Sequence, residues 1–158
     1  MRTTRVATAG DLEALVALTR AGRQRLASWS PVYWRPAAGA DELHRAWLAH
    51  LIGSDDAVVR VATDHGQVVG CAVSVRQPRQ WFVDDVALVS DDRWADDGID
   101  LLEAVAERPA LTCVPTHHLA RRAASEGASL HHVSSYWIRD TTPASHAPTP
   151  SLHPATVI

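Results

Sequence analysis

Arg93 and Gly98 stand at the spacing R-x-x-x-x-G inside WFVDDVALVSDDRWADDGIDLLEAV, Trp81 to Val105, where an apolar run passes through an acidic turn into an amphipathic run. The first N–H groups of a helix have no intrahelical partner, and its dipole favours an anion there. A strand that enters a helix through a tight turn carrying arginine and glycine is therefore an architecture for holding a phosphate. The same turn carries Asp91, Asp92, Asp96 and Asp97, whose charge opposes an anion. Asp96 and Asp97 also suit a helix start, where a carboxylate contributes about 0.3–1 kcal/mol.

Other groups able to do chemistry are scattered. Asp84 and Asp85 are adjacent in the apolar run, so a regular strand points them to opposite faces. One could accept the proton of an amine while the other is solvated or paired with an arginine. Ser125, His117, His118 and Tyr136 are candidate proton donors. The pairs His117-His118 and His131-His132 diverge on any regular element and lack the i, i+4 spacing of a metal pair, so no metal site is expected. Trp29, Tyr33 and Trp34 form an aromatic group able to recognise an apolar or cationic amine, or to fill the core at a helix corner. Cys71 and Cys113 lie in apolar runs and read as buried thiols.

The elements that must position these groups follow from periodicity and punctuation. A short strand over 3–7 precedes a helix from about Asp11 to Leu26, with Thr8 and Asp11 at capping-box spacing. Prolines in SWSPVYWRP break that helix, and Leu43, Trp47, His50 and Leu51 mark a second helix ending near Gly53. Two β-branched runs flank Asp64-His65-Gly66-Gln67 and predict a hairpin. Next come a strand over Phe82 to Val89, a helix over Asp97 to Ala106, a strand over Ala110 to Val114 and a helix from Thr116 to Glu126. A last strand is expected over His131 to Arg139. The order β-α-α-β-β-β-α-β-α-β is an α/β fold of the mixed α+β layer type, with a central mixed sheet.

A chain of 158 residues with 46% hydrophobic content fits one domain, here residues 1–140, followed by a proline-rich tail over 141–158. The 15 basic residues are all arginine, no segment gathers them into a nucleic-acid footprint, and the net charge is −3. No run approaches the roughly 20 apolar residues of a membrane span, and the start has no apolar leader, so a cytoplasmic protein is expected. Ordering the tail would require a surface. Leu152, Val157 and Ile158 are expected to pack on the domain or on a second copy, making a homodimer.

The element order and the central motif together resemble the GNAT-family N-acyltransferases over Thr3 to about Asp140. The family's turn, R/Q-x-x-G-x-G/A, has its counterpart in Arg93-Trp94-Ala95-Asp96-Asp97-Gly98, with Asp96 in place of the central glycine. The resemblance implies acetyl-CoA or another acyl-CoA as co-substrate, with pantetheine along Val86, Ala87, Leu88 and Val89 and the pyrophosphate over Arg93 to Gly98. It implies Asp84 or Asp85 as base, and an amine acceptor near Trp29, Tyr33 and Trp34. Many members carry Y-x-x-x-G-F, whose Tyr protonates the leaving thiolate; here Ala123 stands in that place, with Ser125 nearby. Two functions remain open: acyl transfer from a CoA thioester to a small-molecule amine, and a GNAT-fold ligand-binding or protein-interaction module without turnover.

Overall fold

The computed structural model describes residues 1–29, 31, 34–106 and 110–133. The strand expected over 131–139 lies largely outside these residues, as do Tyr33, Tyr136 and the tail; His131, His132 and Val133 are irregular. Strand β1 (Arg2–Val6) leads through a 3-10 turn (Ala9–Asp11) into α1 (Leu12–Trp29), and α2 (Ala40–Leu51) follows. Next come β2 (Ala57–Asp64), β3 (Gln67–Arg76) and β4 (Trp81–Leu88), then a second 3-10 turn (Asp91–Ala95) and α3 (Asp97–Val105). The described part closes with β5 (Ala110–Thr112) and α4 (Leu119–Gly127).

The five strands form one sheet in the order β1-β2-β3-β4-β5, antiparallel except for the parallel pair β4-β5. The β2-β3 hairpin turns on His65 and Gly66, both at positive φ (49° and 80°). A two-residue turn of that kind matches the right-handed twist of the strands. Helices α1 and α2 cover one face, where Leu15, Leu18, Leu48 and Leu51 meet Val59, Val61, Cys71, Val73 and Ala87. Helices α3 and α4 cover the other, where Leu101, Leu102 and Ala124 meet Ala72, Val83, Val86 and Leu88.

Two expectations change. Leu43 and His50 are exposed, and the packed stripe of α2 is His44, Trp47, Leu48 and Leu51. Three- and four-residue spacing puts that set on one face, and it excludes Leu43. Cys71 is buried, and burial pushes its thiol up, whereas Cys113 is exposed past the end of the short β5.

The entry to α1 is fixed by charge. Asp11 accepts from the Thr8 N–H (2.8 Å) and hydroxyl (2.9 Å), and the Arg5 guanidinium donates to both its oxygens (2.8 and 2.7 Å). These bonds hold the Asp11 carboxyl well below the usual carboxylate range, Arg5 foremost. Asp11→Asn is expected to lower unfolding free energy by about 1–3 kcal/mol at neutral pH. A depressed folded-state pKa contributes stability above the unfolded value near 4 and loses it as pH falls toward the lower folded value. Urea melts at descending pH should therefore show the gap between wild type and variant closing below about pH 4.

Candidate functional site

β4 is interrupted at its middle. Val73 pairs with Asp85 and Ser74 with Val83, so Asp84 is an extra residue on β4. Such a bulge bends its strand and breaks the side-chain alternation. Val83 and Val86 consequently share the α3 face although three positions apart. Before the bulge β4 pairs with β5, as Trp81, Phe82 and Val83 face Ala110, Leu111 and Thr112. Beyond it the pairing ends, because β5 stops at Thr112 while β4 runs on to Leu88, leaving a splay flanked by β4, α1 and α4.

The bulge gathers charge at the mouth of the splay. Asp85 turns toward the α1-α2 side, where its Oδ2 lies 3.1 Å from His44 Nε2. The same nitrogen is 3.2 Å from Thr19 Oγ1, whose hydroxyl donates to the Leu15 carbonyl (2.9 Å). Thr19 therefore accepts, and His44 Nε2 is the donor to it. Asp84 reaches solvent, yet partial desolvation and the Asp85 charge raise its carboxyl above the usual range. Asp84 sits in the bulge itself, so the regular alternation behind the expected opposite faces of Asp84 and Asp85 is interrupted there.

The splay is largely filled. Trp94, only 2% exposed, enters from the turn before α3, and His118 meets its ring edge-on (centroids 5.0 Å). Trp29 from the end of α1 packs against His118 from the other side (5.1 Å). Arg121 of α4 is buried with its guanidinium carbon 5.9 Å from the Trp94 ring centre, and donates to Thr112 Oγ1 at 3.4 Å. Burial pushes Arg121 down to about 10, against the attraction of Asp85, Cys113 and Asp84. A void of about 20 Å³ remains, lined by residues including Val86, Ala87, Trp94, His118 and Arg121. Ser125 is buried in α4 and its hydroxyl donates to the Arg121 carbonyl (2.9 Å), so that proton is directed at its own helix. Trp34 is half-buried.

The turn expected to hold a phosphate is internally neutralised. Arg93 donates to Asp97 (2.7 Å) and Asp64 (3.0 Å), which raises its pKa and lowers that of Asp64. Asp96 is exposed and accepts from Arg2 (2.7 Å), while Ala95 faces solvent. Asp96 makes no side-chain cap to α3, and Asp97 joins the helix buried through its pair with Arg93. Gly98 packs on Trp94: a Cβ there would lie 2.7 Å from Trp94 Cε3 and 3.3 Å from Leu88 Cδ1. At the end of β4 the Leu88 carbonyl accepts from Arg25 (2.9 Å), Val89 N–H donates to Val69 (3.0 Å), and the Val89 side chain is exposed. Beside them an open groove of about 740 Å³ runs between α1 and the sheet, lined by Ala14, Ala17, Ala21, Arg25, Leu88 and Val89 among others.

His44 and Arg121 carry no motif, and helical spacing is the signal that marks them. His44 shares the stripe of Trp47, Leu48 and Leu51; Arg121 shares that of Ala124, Ser125 and Ala128. A charged or polar residue on an otherwise buried face needs a partner. Among the described residues no cluster of three or more His, Cys, Asp or Glu could hold a metal ion, and no helix is long and apolar enough to cross a membrane.

The five-stranded mixed sheet, the bulged β4 and the parallel β4-β5 pair that parts beyond it make this the GNAT acetyltransferase fold. A solved structure of the aminoglycoside N-acetyltransferase AAC(6')-Iy with CoA superposes with a TM-score of 0.63 at 13% identity, covering 90% of this chain and 95% of that one. The tetramutant of BH1408 protein from Bacillus halodurans gives a TM-score of 0.71 at 12% identity, covering 87% and 98%. Ribosomal-protein-alanine N-acetyltransferase from Brucella melitensis biovar Abortus 2308 gives 0.54 at 21% identity, covering 88% and 99%. No protein-family model matches the sequence, and no curated protein matches it.

Gly98→Ala tests the seating of Trp94. The added methyl overpacks a filled contact and should cost about 1–3 kcal/mol in a denaturant melt, with altered near-ultraviolet dichroism. Wild-type stability in that variant would mean that Trp94 does not lie beneath the helix start.

Proposed function

We propose that this protein is an acyl-CoA-dependent N-acyltransferase that moves an acyl group, acetyl in the simplest case, to the amine of a small molecule. The observation that carries the reading is the parting of β4 from β5 at the Asp84 bulge, within a fold whose solved neighbours include aminoglycoside N-acetyltransferases, one of them crystallised with CoA. In this reading Val86 to Val89 offers backbone groups to the pantetheine arm, with the apolar groove beside Leu88 and Val89 taking part of its length. Residues Arg93, Trp94, Ala95, Asp96, Asp97 and Gly98 receive the pyrophosphate once Arg93 is released from Asp64 and Asp97. The acceptor amine approaches from the side of Trp29 and Trp34, and Tyr33 belongs to the same group.

The chemistry is direct attack. The amine nitrogen bonds to the thioester carbon, the C–S bond breaks, and the CoA thiolate departs, taking its proton from solvent in the absence of a tyrosine at Ala123. Orientation of amine and thioester supplies most of the acceleration. Asp84 takes the proton the amine loses, because desolvation and the neighbouring Asp85 charge raise its carboxyl and make it a stronger base than an ordinary carboxylate, while Asp85 lies against His44. Ser125 acts through the backbone of α4 that it braces.

A second reading has two specific observations in its favour. The splay is filled by Trp94, His118 and Arg121, and Arg25 occupies the Leu88 carbonyl, as in a binding module without turnover. The reading as an enzyme implies the cytoplasm. We also propose that the tail packs on the domain or on a second copy, making a homodimer; in the homodimer case, deleting residues 142–158 should halve the mass in solution.

Titration calorimetry with acetyl-CoA should show weak binding, and the absence of heat at millimolar acetyl-CoA and longer acyl-CoAs sinks the enzyme. With an amine acceptor found, Asp84→Asn should lower kcat/KM by about 10²–10⁴. A base works deprotonated, so activity rises with pH. The acidic limb of the profile should lie above the ordinary carboxylate value near 4 and vanish in the variant.

A further inference from the structure

The small void in the splay joins three buried side chains, each of which leaves one polar atom without a hydrogen bond. Trp94 (2% exposed), Arg121 (6%) and His118 (8%) all line it. Trp94 Nε1, Arg121 Nε and His118 Nε2 have no hydrogen-bond partner. Two of these are N–H donors in every protonation state these residues reach. His118 Nε2 lies 3.4 Å from the Asp91 carboxylate without bonding geometry, and Asp91 is itself exposed. Among the described residues no carboxylate comes within ion-pair distance of Arg121, whose one hydrogen bond is the long contact to Thr112.

A guanidinium without an ion-pair partner and an indole N–H without an acceptor beside one cavity are costly to bury. Water alone answers the hydrogen bonds but not the charge. An oxygen acceptor carrying negative charge answers both, and a carboxylate fits the planar fork of arginine. The void, about 20 Å³, has room for a single water as it stands, so a carboxylate enters it only as the part-exposed Trp29 that lines it moves aside. The location fits a substrate, because Val86 and Ala87 of β4 form the opposite wall.

We propose that this void is a carboxylate subsite, in which Arg121, Trp94 and His118 hold the carboxylate of a substrate. The carboxylate belongs either to the far end of the acyl group, as in a succinyl thioester, or to the amine acceptor, as in an amino acid. This deepens the acyltransferase reading and rests on it for the identity of the substrate, but the subsite can be tested by itself.

The full chain is titrated with sodium propionate against sodium chloride at equal ionic strength, following melting temperature and tryptophan fluorescence. Propionate near ten times its Kd should raise the melting temperature by about 3 °C. Arg121→Met should abolish the shift while raising the basal melting temperature, since it removes a buried charge that no carboxylate pairs at ion-pair distance. Trp94→Phe, which keeps a ring and loses the N–H, should weaken propionate several-fold, and it serves if Arg121→Met does not fold. No propionate effect in wild type, or an equal effect in both variants, overturns the subsite. With acyl-CoA binding measured in parallel, a preference of tenfold or more for succinyl-CoA over acetyl-CoA assigns the carboxylate to the acyl group. The same preference for glycine over glycinamide assigns it to the acceptor. Indifference to both pairs overturns its role in substrate recognition. A propionate response in a protein that binds no acyl-CoA overturns the acyltransferase reading and leaves the carboxylate site standing.

Discussion

One extra residue in β4 organises the rest of the molecule. Because Asp84 has no counterpart on β3, the strand bends there, pairs with β5 only over Trp81 to Val83, and then leaves it. The bend opens an edge of backbone within the fold, and every neighbouring element contributes a side chain toward it: Trp29 from α1, Trp94 from the turn, Arg121 from α4 and His118 from the start of that helix. It also sets the two carboxylates, one in the bulge and one turned toward His44.

The splay and the turn before α3 are coupled through Trp94. Its ring lies under Gly98, against His118 and near Arg121, so the residue that shapes the helix start also fills the gap between the strands. The acidic turn is tied off in a different manner, by arginine. Arg93 bridges Asp64 and Asp97, and Arg2 reaches Asp96 across the sheet edge. The Arg93 pairs are part-buried and fix the turn to the β2-β3 hairpin, while the Arg2 pair is solvent-exposed and contributes little.

Most of the architecture was legible in the sequence, because periodicity and turn residues are local signals. The His65-Gly66 hairpin, the capping box of Thr8 and Asp11 and the strand-turn-helix around Arg93 all needed only neighbouring residues. What was not legible depends on the third dimension. The bulge at Asp84 is a matter of register with β3, and Asp84-Asp85 in an apolar run reads equally as regular alternation. Gly98 matched a phosphate-turn pattern, yet its immediate neighbour is an indole from its own turn. His44 and Arg121 are far from any motif in sequence, and only a helical stripe that includes them betrays their burial.

The contact between Arg25 and the Leu88 carbonyl has a thermodynamic consequence for anything laid along β4. A ligand amide arriving at that carbonyl finds a charge-assisted bond already made, with the same guanidinium also 3.5 Å from Asp91. Association there is an exchange: one donor leaves as another arrives, and the freed arginine must be rehoused in water or on a ligand anion. The net enthalpy of such a swap is small, and its favourable part comes from where the displaced cation goes. A ligand bearing its own negative charge within reach of Arg25 would convert that displacement from a cost into a second attachment, so the end of β4 discriminates by what a ligand offers the arginine as well as by what it offers the strand.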